Sequence, residues 1–202
     1  MKEKYIKDLK EIKEVMDRST RFISLSGLSG VSTGIIALGG VLVAYQTFFK
    51  EKNYLVYHAI QLNKMDVISL LIIATVTLIL SIVCAIFFTK RKTKKRNQKI
   101  VNQQTKELLI NLLIPLVTGG LLCLMLLNNG FVGVLAPITL IFYGLALVNA
   151  SKYTLTELRN LGLIQILLGL LAFQFINYSL LFWAFGFGIV QIFYGLIIQK
   201  KY

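Results

Sequence analysis

Residues 24–40 read SLSGLSGVSTGIIALGG, small polar residues and glycines merging into an apolar run. A phosphate-cradling loop, a cleaved export signal and the packing face of a membrane helix all begin this way. No Lys-Ser/Thr pair closes a GxxxxGK[ST] pattern here, and no strand-like run precedes it, which removes the first. An export signal has a short apolar core, whereas no Asp, Glu, Lys or Arg occurs anywhere in 22–49. A bilayer core takes roughly 20 apolar residues of helix, so 22–49 reads as one full span. On that helix Ser26, Gly30 and Gly34 recur every four residues, and Ser29, Thr33 and Ala37 form a second small row beside them. Such a face lets another backbone approach closely. A neighbouring helix of the same chain is the expected occupant; a subunit interface and a ligand groove are the alternatives.

The same test extends along the chain. Charges are also absent from 67–89, 108–151 and 160–199. The last two stretches are long enough for two spans each, and each has a turn signal near its middle, Asn128-Asn129-Gly130 and Asn177-Tyr178-Ser179. Spans are therefore expected near 22–49, 67–89, 108–128, 131–150, 160–176 and 179–199. With 56% hydrophobic and only 15% charged residues, against about 25% charged in soluble domains, the chain has too little charge to cover a water-facing surface. The fold class is thus an all-α integral membrane protein. A six-transmembrane-helix bundle occupies 22–202, preceded by an amphipathic cytoplasmic helix over 1–21.

Charge sets the expected orientation. Nineteen of the 22 Lys and Arg residues fall in the N-terminal arm, the basic loop 90–107, the 151–159 loop and the C-terminus. An even number of spans puts all four on one side, and the positive-inside rule makes that side cytoplasmic. The net charge of +13 reflects this asymmetry, and no nucleic-acid partner is expected. In the arm, Tyr5, Leu9, Ile12 and Met16 form an apolar stripe suited to a membrane surface, the protein's own face or a partner helix. KRKTKKRNQK at 90–99 fixes topology and meets anionic lipid headgroups.

Catalytic signatures are sparse. No acid or base lies inside a predicted span, and such residues are the working parts of proton relays and many ion-coupled carriers. His58 is the single histidine, in the outer loop, and Cys84 and Cys123 both fall in spans. No enzyme activity, catalytic residue, metal or cofactor is therefore expected. What remains at membrane depth is neutral: the amides Gln46, Asn111, Gln165, Gln174 and Gln191, with several Ser and Thr. An amide in hydrocarbon must find a partner, so these should face the interior, as interhelical bonds or as a polar cavity. Pro115 and Pro137 are expected to kink the third and fourth spans. TLTE at 154–157 reads as a capping box, with Thr154 as cap. IFYGL occurs at 141–145 and again at 192–196, 51 residues on. Such an echo is what a bundle assembled from repeated helical hairpins would leave, although short apolar matches also arise by chance.

STRFISLSGLSG, Ser19 to Gly30, preceded by DLKEIKEVM, resembles the N-terminal part of an uncharacterised family of small bacterial multi-pass membrane proteins. The resemblance implies a bacterial inner-membrane location and no activity, cofactor or site residue. The expected function is non-enzymatic, through helix packing with a second copy or a membrane partner. The alternative is a small carrier or channel for a neutral or weakly polar solute or lipid.

Overall fold

The computed structural model describes residues 26–48, 64–95 and 103–201. The N-terminal arm, most of the resemblance segment, His58 and 96–102 of the basic loop lie outside the described residues. Every regular element among the described residues is helical. The chain runs through α1 (Gly27–Phe48), α2 (Lys64–Lys95) and α3 (Gln103–Asn128), then a 3₁₀ turn, Val132–Val134, leading into α4 (Leu135–Ala150). A second 3₁₀ turn, Ser151–Tyr153, precedes α5 (Glu157–Gln174). The last rod begins at the 3₁₀ turn Ile176–Tyr178 and combines α6 (Ser179–Trp183), a π-helix (Ala184–Val190) and α7 (Gln191–Lys201).

Among the described residues, five helical segments are long and apolar enough to cross a membrane: Gly27–Thr47, Met65–Lys94, Thr105–Asn128, Val132–Tyr153 and Ile176–Lys201. They fit a membrane protein, because a helix satisfies its own backbone groups where no water can. The span expected at 160–176 is present as α5 but is not among the five. Its 18 residues include Glu157, Arg159, Asn160, Gln165 and Gln174, which dilute its apolar character.

Local chemistry sets the breaks. After α3 the chain reverses at Gly130, the one described glycine with a positive φ, +81°. The Gly130 N–H donates to Leu127 O and the Phe131 N–H to Leu126 O, both at 2.9 Å. That pair of bonds is a Schellman closure, for which glycine is the low-cost residue. Pro137 stands in the first turn of α4, where a backbone N–H has no helical partner to lose. It therefore does not interrupt the fourth span. Pro115 lies inside α3, which continues through it. The N-cap of α5 is Thr156, without a side-chain cap bond, rather than Thr154; Glu157 turns instead to Lys201.

The helices pack in chain order: α1 with α2, α3 with α4, α4 with α5, and the last rod with α4, α5 and α1. The α4–α5 contact is the most extensive. None of the apolar window of α2 is buried, whereas about a third of the α4 window is. One end of the bundle brings together the start of α1, the end of α4, the start of α5 and the end of α7. A small apolar core of Leu147, Leu155, Leu158, Leu161 and Ile198 fills that end.

Candidate functional site

The glycines of the small face of α1 lie against the last rod. Ser26, Ser29 and Ala37 are buried, and Gly30, Thr33 and Gly34 complete the patch. Thr33 Oγ1 bonds back to Gly30 O at 3.0 Å, so its hydroxyl is satisfied within the helix. A methyl built on Gly34 would lie 2.6 Å from Ile192 Cγ1 and 2.8 Å from Gly188 O; one on Gly30 would lie 3.0 Å from Gly195 Cα. Gly27, outside the expected rows, joins them. A methyl on Gly195 would sit 2.6 Å from Gly27 O, and one on Gly27 would strike Gly195 O in return. At Gly27, Gly30 and Gly34 the two backbones approach closely.

A second crossing repeats the first. A methyl on Gly144 would lie 2.6 Å from Gly162 O, and one on Gly162 would lie 2.7 Å from Gly144 O. One on Gly169 would meet Ile141 Cγ1 at 2.6 Å and Pro137 O at 3.0 Å. On one side, Pro137, Ile141, Gly144 and Val148 of α4 correspond to Gly188, Ile192, Gly195 and Gln199 of the last rod, each 51 residues on. On the other, Gly162, Ile166 and Gly169 of α5 correspond to Gly27, Val31 and Gly34 of α1. The glycines of IFYGL, Gly144 and Gly195, are the contact points in both.

The five amides do not converge. Gln46 and Gln174 are exposed on the outside of the bundle. Asn111 lies in the α3–α4 contact: its Nδ2 bonds to Glu107 O at 2.8 Å, and its backbone oxygen accepts from Asn149 Nδ2 at 2.9 Å. The second bond follows from Pro115. A proline has no N–H to give to the carbonyl four residues earlier, so Asn111 O needs a donor, and α4 supplies one.

Gln165 of α5 reaches the last rod, and Gln191 of the last rod reaches α4, at different points. Gln165 is fully buried and donates Nε2 to Gly186 O at 2.8 Å. Gln191 donates Nε2 to the Tyr143 hydroxyl at 3.1 Å. Between them Trp183, Phe187 and Tyr143 stack, with ring centroids 4.7 and 4.9 Å apart. Trp183 Nε1 donates to Thr139 Oγ1 at 3.1 Å, which satisfies the half-buried indole. The result is a polar and aromatic ladder pinning the last rod to α4 and α5. Gln165 Oε1 and Gln191 Oε1 are buried with no hydrogen-bond donor among the described residues.

Charge lies at the bundle end that holds Gly27 and Gly195. Glu157 pairs with Lys201, whose hydrogen bond holds the Glu157 carboxyl below the usual carboxylate range. Lys106, Lys152, Arg159 and Lys200 are exposed. Among the described residues, no three His, Cys, Asp or Glu side chains gather as a metal site would require. Cys84 and Cys123 are free thiols on different helices.

No family model, curated protein or solved structure matches this chain. The likeness at Ser19–Gly30 thus stands alone and assigns no residue a role.

Proposed function

We propose that the chain is a six-span protein of a bacterial inner membrane, with both termini cytoplasmic, acting without catalysis through helix packing. Its action is self-association or the docking of a membrane partner. The observation that carries this reading is the separation of its interior polar groups. Asn111, Gln165 and Gln191 each bond within a different helix contact, and Gln46 and Gln174 face outward. A solute path needs such groups along one continuous surface. In this reading α5 is the sixth span, held by α4 and the last rod despite its polar residues, and the exposed lysines and arginines meet anionic headgroups.

Light scattering of the purified protein in mild detergent tests self-association. A particle containing more than one 22.8 kDa chain is expected. A strict monomer that drives uptake of a small neutral solute into liposomes would replace this reading with the carrier alternative. That alternative draws on the two undonated acceptors, Gln165 Oε1 and Gln191 Oε1. Orientation is tested separately: with Cys84 and Cys123 replaced by Ala, an impermeant maleimide on intact cells should label His58→Cys and spare Lys95→Cys. The reverse pattern inverts the topology.

A further inference from the structure

The π-helix meets three neighbours with three consecutive residues. Gly186 O accepts from Gln165 of α5, the Phe187 ring stacks on Tyr143 of α4, and Gly188 lies against Leu38 of α1. An uninterrupted α-helix turns about 100° per residue, and a π-turn fits roughly one extra residue into a turn. Everything beyond it is rotated by about that one-residue step relative to everything before. Before the π-helix, Trp183 is fixed to Thr139; beyond it, Gly195 is set against Gly27. A single straight α-helix would not present both faces to these partners at once.

Gln165 holds the turn in place. Its side chain is fully buried in an otherwise apolar contact, and its one hydrogen bond goes to the π-helix backbone. A methyl on Gly186 would lie 2.6 Å from its Oε1, so the amide is pressed flat against that glycine. We propose that Ala184–Val190 is a register switch latched by Gln165. With the latch closed, α7 presents Gly195 to Gly27. With the latch open, the segment relaxes to α geometry, α7 turns by one residue step, and α1 undocks together with α2. The switch goes beyond the packing reading above and holds whether or not the chain self-associates.

The repeated crossing supplies an internal control. In a background with Cys84 and Cys123 replaced by Ala, two reporter pairs occupy equivalent positions: Val31→Cys with Gln199→Cys across α1–α7, and Ile166→Cys with Val148→Cys across α4–α5. A short bis-maleimide on membranes should join both. Adding Gln165→Leu is expected to shift the closed-to-open equilibrium about fivefold toward open, the effect of losing one hydrogen bond, so that the first yield falls while the second is unchanged. An unchanged first yield overturns the switch; so does an equal fall in both, which marks general loosening. Should Gln165→Leu fail to accumulate, Gly186→Ala forces the amide off the backbone and is read by the same two yields. Thr139→Val, which acts before the π-helix, should leave the first yield intact.

Discussion

The side-chain amide of Asn149 donates to the backbone oxygen of Asn111 at 2.9 Å, the carbonyl that Pro115 leaves without a helical donor. A residue on α4 thereby repairs a defect in α3. Asn149→Leu should strand that oxygen and lower stability by about 1–3 kcal/mol. Adding Pro115→Ala returns a local N–H and should recover most of the loss. Thermal unfolding in detergent of the two singles and the double reads the coupling; additive losses would deny it.

Glycine substitutions should divide sharply by position. Gly144→Ala and Gly195→Ala push a methyl against backbone at 2.6 Å, which flexible side chains cannot relieve, and should each cost about 1–3 kcal/mol. Gly39→Ala and Gly120→Ala meet nothing within 4 Å and should be neutral or stabilising by up to about 1 kcal/mol, since alanine favours helix. Unfolding midpoints of the four variants check this.

Acid should weaken the joint between α5 and α7. The Glu157 carboxyl is held below its ordinary range by Lys201, so the folded state prefers the ionised form. That stabilisation is present above the unfolded carboxylate pKa and disappears as pH falls through the lower folded value. Melting temperature measured from neutral toward acid should therefore drop less for Glu157→Gln than for the native chain. Added salt should shrink the difference, as for any surface pair.

Amide replacement separates packing from passage. Gln46→Leu and Gln174→Leu, both exposed on the bundle's outer surface, should change stability by less than about 0.5 kcal/mol. Gln191→Leu, which removes the bond to Tyr143, should lower it by about 1 kcal/mol. Equal effects at all three sites would contradict the separate placements of these amides.

Much of the helical layout is legible as charge spacing, because lipid excludes charge over a fixed length of helix. The reversal at Asn128–Gly130 is equally legible, since Gly130 must take a positive φ there. Rotation about a helix axis is not. Whether Gln165 faces inward and Gln174 outward depends on which neighbour α5 meets, and their spacing along the chain carries no such record. AFGFGIV shows no periodic sign of a π-turn, which exists only because the rod has partners on several sides. Asn149 escapes notice for the same reason: its role depends on a proline 34 residues earlier in the chain. IFYGL is visible as a repeated word, while its meaning, a glycine pressed against a glycine, needs the facing helices. Gly27 completes the pattern and lies just outside the four-residue rows of 26–37. Of the polar residues that set α5 apart from the five apolar segments, Gln165 alone is buried, while Arg159, Asn160 and Gln174 are exposed.

The two glycine crossings differ in one respect that their shared geometry hides. Gly144 and Gly162 are made within moments of each other at the ribosome, on helices separated by one short connection. Gly27 is made long before Gly195, so the glycines of α1 have no partner in this crossing until the last rod has been made. Docking of the last rod is then the event that joins α1 and α2 to the rest of the bundle. A synthesis pause between residues 174 and 195 would hold a half-assembled intermediate with those glycines accessible.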